Sequence, residues 1–527
     1  MKKLVFIFWI FLLIGCQSIS SFNAHIDKEI PADKLRQDVD YVYKKLKKNH
    51  VKLDLYLPQD SIDYKFDSLK QSIEKPLKPN DFYTKLQVVI RDLRHGHTDL
   101  IPLFRKSEKE ELKRIKNSVG PFGQLSTFWD KDSLYYIGSS QKNLDIKPGS
   151  VILKIDSISP YQLKEKYKFS FYGDGFNETY FENRLNRNFF NYFYSLEAQT
   201  KDSILYTFSY KGKPYQKLIK RTFQEKKEDQ KQQKDSLKVV IPKIKEQKKR
   251  IKKFEFSYNK SSKSYAKTLS FPTNDSTFAV LKVSTFGYGK YDDDYKKAFQ
   301  LIEDYKVKNL VLDLRNNGGG RLADSYQLFS YFVPDKKEFL GEQLVVDASS
   351  FQRAIVDIFP KYVKPLAYPF SLVSHVITSK NQKKENYIKP ALSRIKTTHP
   401  DNIYNGNLYV IINGGSYSAS AIISSNLKGF NRAYFVGEET GGDANGSVAG
   451  LMPNYKLPNS KLKLQIGTVY LEPNYFQTDT IGHGIYPDKE IKTTLEDRLK
   501  NIDPQLGWII SDVKNNNEEL LQLITKN

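Results

Sequence analysis

Hydrophobic positions recur at two different spacings, and the change from one to the other divides the chain. Between residues 31 and 100 apolar side chains fall three or four positions apart, as at Leu35, Val39 and Val42. This spacing places them on one face of a helix. A second helix of the same kind is predicted to begin near Asn80, a plausible N-cap. We therefore assign residues 31–100 to an N-terminal helical domain.

Residues 101–222 are richer in strand and turn signals. The segment 146–156, IKPGSVILKID, is a proline-glycine turn followed by a strand. It resembles the turn and strand of PDZ domains, which bind peptide C-termini by strand addition. An unrelated β-turn-β unit is the alternative. We assign residues 101–222 to a PDZ-like, β-rich module.

From residue 276 onward, predicted strands alternate with predicted helices. This order is typical of an α/β fold with a mostly parallel sheet. The α/β core is assigned to residues 261–527. The predicted strands are 278–283, 309–314, 408–412 and 433–436, and the predicted helices are 291–305 and 418–429.

The first residues are predicted to be a targeting segment. Residues 1–16 begin with two lysines after Met1, continue with an apolar run and end in the sequence LIGC at Cys16. The run has the length of a signal-peptide core and is too short to span a bilayer. The ending resembles a bacterial lipobox, in which Cys16 would carry the lipid; a signal anchor is the alternative. Residues 17–30 would be a tether, and we expect a lipid-anchored envelope protein, at the outer membrane facing the periplasm.

Composition narrows the possible chemistry. The chain of 527 residues is 39% hydrophobic and 13% aromatic, as globular proteins are, and has a net charge of +23. Nucleic-acid binding is not predicted, because the charge is mostly scattered lysine and no nucleic-acid module is recognisable. The single cysteine excludes an intrachain disulfide, a cysteine nucleophile and a cysteine metal site. Residues 223–260 are assigned to a basic insertion, solvated or, alternatively, a docking surface for an acidic partner.

Two glycine-rich loops carry the candidate chemistry. Residues 313–320, DLRNNGGG, follow a predicted strand, and their backbone N–H groups suit an oxyanion hole. A phosphate loop is the rival, but no Gly-Lys-Ser/Thr follows. The second loop holds Ser416, Ser418 and Ser420 in front of a helix. A serine there is either an N-cap or a nucleophile favoured by the helix dipole, and spacing does not choose among the three.

Five short motifs occur along the chain in a fixed order: RHGHT at 94–98, LVLDLRNNGGG at 310–320, SYSASA at 416–421, GEETGG at 437–442 and GHGIYPD at 482–488. Together they resemble the tail-specific (C-terminal processing) serine peptidases of peptidase family S41, which have a ClpP/crotonase-like core. The resemblance implies that Ser418 is the nucleophile and that Gly318, Gly319 and Ala419 form the oxyanion hole.

The sequence also departs from the family pattern. Many members have a lysine base 25 positions after the serine, where this chain has Asp443. A tricorn-like branch uses Ser, His and Glu instead, and that resemblance implies His97 as the base, with His95 as its rival. The expected Glu before the GHGIYPD motif is absent. Asp479 is our prediction for the third member, and Glu472 is the alternative.

The resemblance therefore implies a serine peptidase that hydrolyses peptide bonds without a metal or an organic cofactor. Its partner would be a peptide or protein substrate, captured through its C-terminus by the PDZ-like module, and the lipid would hold it at a membrane. A non-catalytic binder of a hydrophobic ligand or peptide on the same fold is the main alternative. A scaffold protein that uses the basic insertion is another.

Overall fold

The computed structural model confirms the predicted α/β class. It describes residues 18–139, 144–198, 201–223, 252–273, 276–360, 363–379, 383–384, 387–388 and 397–515. The predicted lipidation site, Cys16, and most of the predicted basic insertion lie outside these ranges. Within them no helix is both long enough and apolar enough to cross a membrane.

The N-terminal region is helical and begins earlier than predicted. A helix starts inside the predicted tether, because the Ser18 side chain accepts the N–H of Ser21 and caps it. Asn80 is not a cap: it lies inside its helix, and its side chain bonds the main chain of Leu103 instead. The helices are α1 (Ile19–Asp27), α2 (Ala32–Asn49), α3 (Gln59–Gln71) and α4 (Pro79–Asp92).

The second region is a five-stranded antiparallel sheet with helices packed on it. The strands follow one another as neighbours in the sheet, in the order β3-β4-β5-β6-β7. One turn of π-helix, Leu185–Phe189, joins two of the helices. The main elements are α5 (Lys109–Lys116), β3 (Leu125–Asp130), β4 (Ser133–Ser139), β5 (Ser150–Ile155), α6 (Pro160–Tyr167), α7 (Thr179–Arg184), α8 (Phe190–Glu197), β6 (Ser203–Tyr210) and β7 (Lys213–Lys220).

The core sheet has seven strands in the order β22-β17-β16-β12-β11-β10-β9. It begins inside the predicted insertion 223–260, because β9 pairs antiparallel with β10 along its length. The sheet and its helices comprise β9 (Lys252–Asn259), β10 (Ser264–Phe271), β11 (Phe278–Val283), α9 (Tyr291–Asp304), β12 (Asn309–Asp313), α10 (Leu322–Ser330), β16 (Asn407–Ile412), α13 (Ala419–Gly429), β17 (Tyr434–Gly437) and β22 (Lys489–Glu490).

Smaller elements cover the core and join it to the rest of the chain. Strand β1 (Asp99–Ile101) pairs with β20, so the segment just before it is held against the core. The remaining elements are β2 (Ser118–Val119), β8 (Thr222–Phe223), β13 (Leu340–Leu344), α11 (Ala348–Asp357), α12 (Lys364–Ser379), β14 (Lys383–Lys384), β15 (Tyr387–Ile388), β18 (Ser447–Ala449), β19 (Asn454–Lys456), β20 (Lys463–Gln465), β21 (Val469–Pro473), α14 (Leu495–Lys500) and α15 (Pro504–Lys514).

Parallel pairing brings the two glycine-rich loops together. Strands β12 and β16 are adjacent and parallel, with Leu310 opposite Leu408, so both end at the same edge of the sheet. Loops at the carboxyl ends of parallel strands are where α/β proteins place their sites. Residues 314–320 follow β12 along the chain, and residues 413–418 follow β16.

Candidate active site

Ser418 is the most exposed of the three candidate serines and has an unusual backbone. Its φ is +59° and its ψ is −126°, and its side chain makes no capping bond although it precedes α13. The N-cap role is therefore not adopted. A non-glycine residue held at positive φ costs about 1–3 kcal/mol and persists where the surrounding structure imposes it, often at active sites.

The neighbouring serines have other environments. The Ser416 hydroxyl donates to the carbonyl of Leu314 at 2.8 Å and accepts the N–H of Asn413 at 3.1 Å, so it ties the two loops together. Ser420 is fully buried in α13. Ser418 is thus the one of the three that is only partly buried.

The glycine loop lies directly against Ser418. A Cβ atom on Gly319 would lie 2.7 Å from the Cβ of Ser418 and 2.9 Å from the N of Ala419, and the φ of Gly319 is +92°. Its N–H, however, donates to Oδ1 of Asn317 at 3.0 Å. Our prediction of Gly319 as an oxyanion donor is therefore wrong, because the buried Asn317 side chain folds back onto that N–H. Instead, the absence of a Cβ atom at Gly319 lets the glycine loop approach Ser418 closely.

The role of Gly318 and Ala419 in the oxyanion hole stays a prediction, and their surroundings are compatible with it. A Cβ on Gly318 would meet no atom within 4 Å, so this residue borders open space. Neither backbone N–H has an acceptor recorded among the described residues. Ala419 begins α13 immediately after Ser418, where N–H groups lack partners inside the helix.

His97 lies beside the nucleophile loop. Its Nδ1 is 2.8 Å from the Tyr417 hydroxyl and 3.0 Å from the Ser447 hydroxyl. The imidazole stacks on the Tyr417 ring with centroids 4.6 Å apart. Tyr417 directly precedes Ser418, so the stack places His97 next to the loop that holds this serine, although no hydrogen bond joins the His97 and Ser418 side chains among the described residues. Burial, reinforced by His95, lowers the pKa of His97 to about 4, so the ring is neutral at neutral pH.

His95 has a structural environment. Its Nε2 is 3.2 Å from the carbonyl oxygen of Leu53. The ring packs on His50 and Tyr56, with centroids 4.2 and 5.0 Å away. Burial lowers the pKa of His95 to about 4. These contacts hold the 94–98 segment on the helical region.

Neither predicted carboxylate appears among the recorded partners of His97. Asp479 is exposed, and Glu472 bonds Gln477. A buried carboxylate that the sequence did not single out, Asp174, lies in this network instead: Oδ1 accepts the N–H of Gly96 at 2.9 Å and lies 3.4 Å from the Tyr417 hydroxyl. The structure thus gives no support to Asp479 as the third member.

One feature of the sequence could have pointed to Asp174, namely the glycines on either side of it. A Cβ on Gly173 would lie 2.2 Å from the carbonyl oxygen of Gly441, and one on Gly175 would lie 2.1 Å from Cα of Gly482. The segment therefore passes between the loops of two sequence motifs, 437–442 and 482–488. Because neither glycine has a Cβ atom, the segment fits between these loops and Asp174 can reach the site.

Asp443, at the position of the family's lysine base, is also buried. Its Oδ2 accepts the Tyr56 hydroxyl at 2.8 Å and the N–H of Gly482 at 2.9 Å. Burial raises the pKa of Asp443, and the bonds it accepts hold that pKa down. This position therefore holds an acid engaged in structural bonds, and it offers no amine to deprotonate Ser418.

A groove of about 1780 Å³ runs between the β-rich region and the core. Asn316 and Asn413, one from each site loop, lie on its wall together with Trp129 and Phe171. Ser418 is not among its lining residues. The groove therefore approaches the site loops from the side of the asparagines, and it is large enough for several residues of an extended peptide.

Known proteins resemble this chain in part of its sequence. Residues 277–491 match the family described as Peptidase family S41. The tail-specific protease of Haemophilus influenzae is 25% identical over 167 residues, which are 31% of this chain and 17% of that protein. The tricorn protease of Thermoplasma acidophilum is 28% identical over 191 residues, 34% of this chain and 16% of that protein. The chain thus spans about a sixth of the length of these relatives.

The fold is also similar to solved structures. The structure of mature CPAF complexed with lactacystin has a TM-score of 0.57 at 14% identity and covers 94% of this chain and 99% of that one. A second structure, of mature CPAF, has a TM-score of 0.53 at 15% identity, over 94% and 98% of the two chains. At this identity the likeness concerns the fold alone. The region that matches peptidase family S41, residues 277–491, contains both the glycine loop and Ser418.

Proposed function

We propose that this protein is a serine-type peptidase with Ser418 as nucleophile and His97 as general base. The observation that carries the proposal is the environment of Ser418: an uncapped serine at positive φ, pressed against Gly319 and preceded by a tyrosine stacked on a neutral histidine. The match of residues 277–491 to peptidase family S41 supports hydrolysis as the chemistry.

The residues have complementary parts in the reaction. The Ser418 hydroxyl attacks the peptide carbonyl, and His97 takes its proton and then delivers it to the leaving amine. The N–H groups of Gly318 and Ala419 donate to the oxyanion of the tetrahedral intermediate, where each such donor is worth about 10²- to 10³-fold in rate. Water then repeats the sequence on the acyl-enzyme and releases the second product.

A histidine base is favoured over a lysine base. Asp443 stands at the position of the family's lysine and accepts a hydrogen bond from Gly482 N–H. His97 is kept neutral by burial, so one ring nitrogen is free of a proton and able to accept one. Both observations support the Ser-His branch, which the sequence resembles in its tricorn-like motifs.

The substrate is a peptide or protein chain. The groove between the β-rich region and the core adjoins both site loops through Asn316 and Asn413, and its volume accommodates an extended segment. We propose that the β-rich region, which was predicted to be PDZ-like, receives the C-terminal part of the substrate, as PDZ domains do by strand addition.

Labelling with a fluorophosphonate probe tests the nucleophile. The wild-type protein should form one covalent adduct at Ser418, and Ser418→Ala should form none. Ser420→Ala is the matched control, because its hydroxyl is buried and has no recorded partner among the described residues; it should label like the wild type. Mass spectrometry of the digested protein locates the adduct. Absence of labelling in folded wild-type protein would contradict the proposal and favour the non-catalytic binder.

We also propose that the protein is anchored to the bacterial envelope through lipid on Cys16, at the outer membrane. The proposal rests on the charged, apolar and LIGC segments of residues 1–16. Cys16→Ser should move the protein from the membrane fraction to the soluble fraction. Persistent membrane association of that variant would instead indicate an uncleaved signal anchor.

A further inference from the structure

The imidazole of His97 faces two hydroxyl groups where a serine peptidase commonly has a carboxylate. Its Nδ1 is 2.8 Å from the Tyr417 hydroxyl and 3.0 Å from the Ser447 hydroxyl. Both hydroxyls also lie near Asp174: the Tyr417 oxygen is 3.4 Å from its Oδ1, and Ser447 is close enough to lower the pKa of the carboxyl group. Asp174 is therefore one hydroxyl away from the histidine through Tyr417, and Ser447 provides a second hydroxyl beside the histidine and near the carboxylate.

The charge of Asp174 determines the direction of these hydrogen bonds. A carboxylate only accepts, and each hydroxyl has one proton to donate. When Asp174 is ionised, the protons of Tyr417 and Ser447 point toward it, and their oxygens face Nδ1 as acceptors. His97 then carries its proton on Nδ1 and presents a bare Nε2, the tautomer that can take a proton from a serine.

We propose that Asp174 is the positioning carboxylate of this site and sets the tautomer of His97 through the hydroxyls of Tyr417 and Ser447. This inference rests on the proposed peptidase function. It replaces the missing glutamate of the family motif by a residue from another part of the fold.

The surroundings of Asp174 move its ionisation toward neutral pH. Burial raises the pKa of Asp174 to about 7, and the nearby carboxylate of Asp443 adds to this, while Gly96 N–H, Ser447 and Tyr417 hold it down. The other titratable groups that face this cluster are Tyr56, Tyr172 and Tyr180 with His95 and His97. Once Asp174 is protonated, a hydroxyl can turn its proton toward Nδ1, and His97 changes to the unreactive tautomer. Activity should therefore rise as pH increases through about 7.

Three aspartate-to-asparagine variants test this by kcat/KM against pH on a peptide substrate. Asp174→Asn should lower kcat/KM by about 10²- to 10⁴-fold, since a wrong tautomer costs about 10⁴-fold where the carboxylate bonds the histidine directly. It should also remove the acid limb near pH 7. Asp443→Asn should keep that limb and shift it to lower pH, because repulsion of Asp174 is relieved.

Asp99→Asn is the matched control. Burial likewise raises the pKa of Asp99 to about 7. Its Oδ1 accepts a hydrogen bond from the Gln87 side-chain amide, whose own oxygen accepts the N–H of Leu100, and neither bond belongs to the histidine network. Its variant should keep both the rate and the acid limb. Loss of the limb in Asp443→Asn together with its persistence in Asp174→Asn would overturn the inference and assign the titration to Asp443.

Removal of the two hydroxyls tests the route. Tyr417→Phe and Ser447→Ala should each cost about tenfold or less, because the other hydroxyl still links Asp174 to His97. The double variant should approach the loss in Asp174→Asn, a non-additive result typical of residues that act as one network. Should Asp174→Asn fail to fold, this double variant carries the test. A double variant with wild-type activity would overturn the inference.

The tautomer itself is measurable without turnover. With ¹⁵N-histidine labelling at pH 8, the His97 signals should report a proton on Nδ1 in the wild type and on Nε2 in Asp174→Asn, with His97→Gln used for assignment. An unchanged tautomer would overturn the role of Asp174. A changed tautomer in a protein that does not react with the fluorophosphonate would contradict the proposed function and leave the role of Asp174 standing.

Discussion

Replacement of His97 by alanine should lower kcat/KM by about 10⁴- to 10⁶-fold, the range seen when the base of a serine peptidase is removed. Without the imidazole, the Ser418 hydroxyl has no group to take its proton at neutral pH. The hydroxyls of Tyr417 and Ser447, which bond the imidazole in the wild type, are not bases at that pH. Initial rates on a peptide substrate measure the loss, and the fluorophosphonate labelling rate should fall in parallel.

The protein should remain folded in this variant, because within the described part of the chain the His97 ring bonds two hydroxyl groups and stacks one face on Tyr417. His95→Ala is the matched control. That substitution removes a bond to the Leu53 carbonyl and contacts with His50 and Tyr56, so it should lower the free energy of unfolding by about 2–4 kcal/mol. Its folded molecules should keep most of their activity. The opposite result, an inactive but stable His95 variant and an active His97 variant, would identify His95 as the base.

Replacement of Gly319 by alanine should lower kcat/KM by at least about 10²-fold. The new Cβ would lie 2.7 Å from the Cβ of Ser418 and 2.9 Å from the N of Ala419, so the nucleophile or the adjoining donor must move. A displacement of about 1 Å at the reacting centre is enough for a loss of that size. The φ of +92° adds a strain of about 1–2 kcal/mol in any residue with a Cβ.

Gly318→Ala separates this effect from a general intolerance of the loop. Its Cβ would meet no atom within 4 Å, and the substitution keeps the backbone N–H that we assign to the oxyanion hole. Its kcat/KM should stay within about tenfold of the wild type, with an unchanged melting temperature. Equal losses of kcat/KM in both variants would contradict this explanation. They would mean that the loop requires glycine at each position for substrate entry, and that contact with Ser418 does not cause the loss.

Much of the fold follows from local pattern. Strand 278–283 was predicted with its observed bounds, and the predicted helix 291–305 ends one residue earlier in the structure. The pairing of the two site loops also follows, because strands in an alternating α/β order lie parallel and end at one edge. The predicted tether and insertion were partly wrong, since the helix 19–27 and the strand 252–259 are short elements stabilised by a cap and by an edge pairing.

The sequence by itself determined the α/β class and the two glycine loops and, through the family motifs, predicted roles for Ser418 and His97, because each depends on residues close together in the chain. Only the tertiary structure decided which groups contact them. It brings Asp174 to Tyr417 across 243 positions and His97 to Ser447 across 350. It also turns the N–H of Gly319 away and buries His95 in structural contacts. Contacts of this kind arise from packing between separate regions, and the spacing of residues along the chain does not predict them.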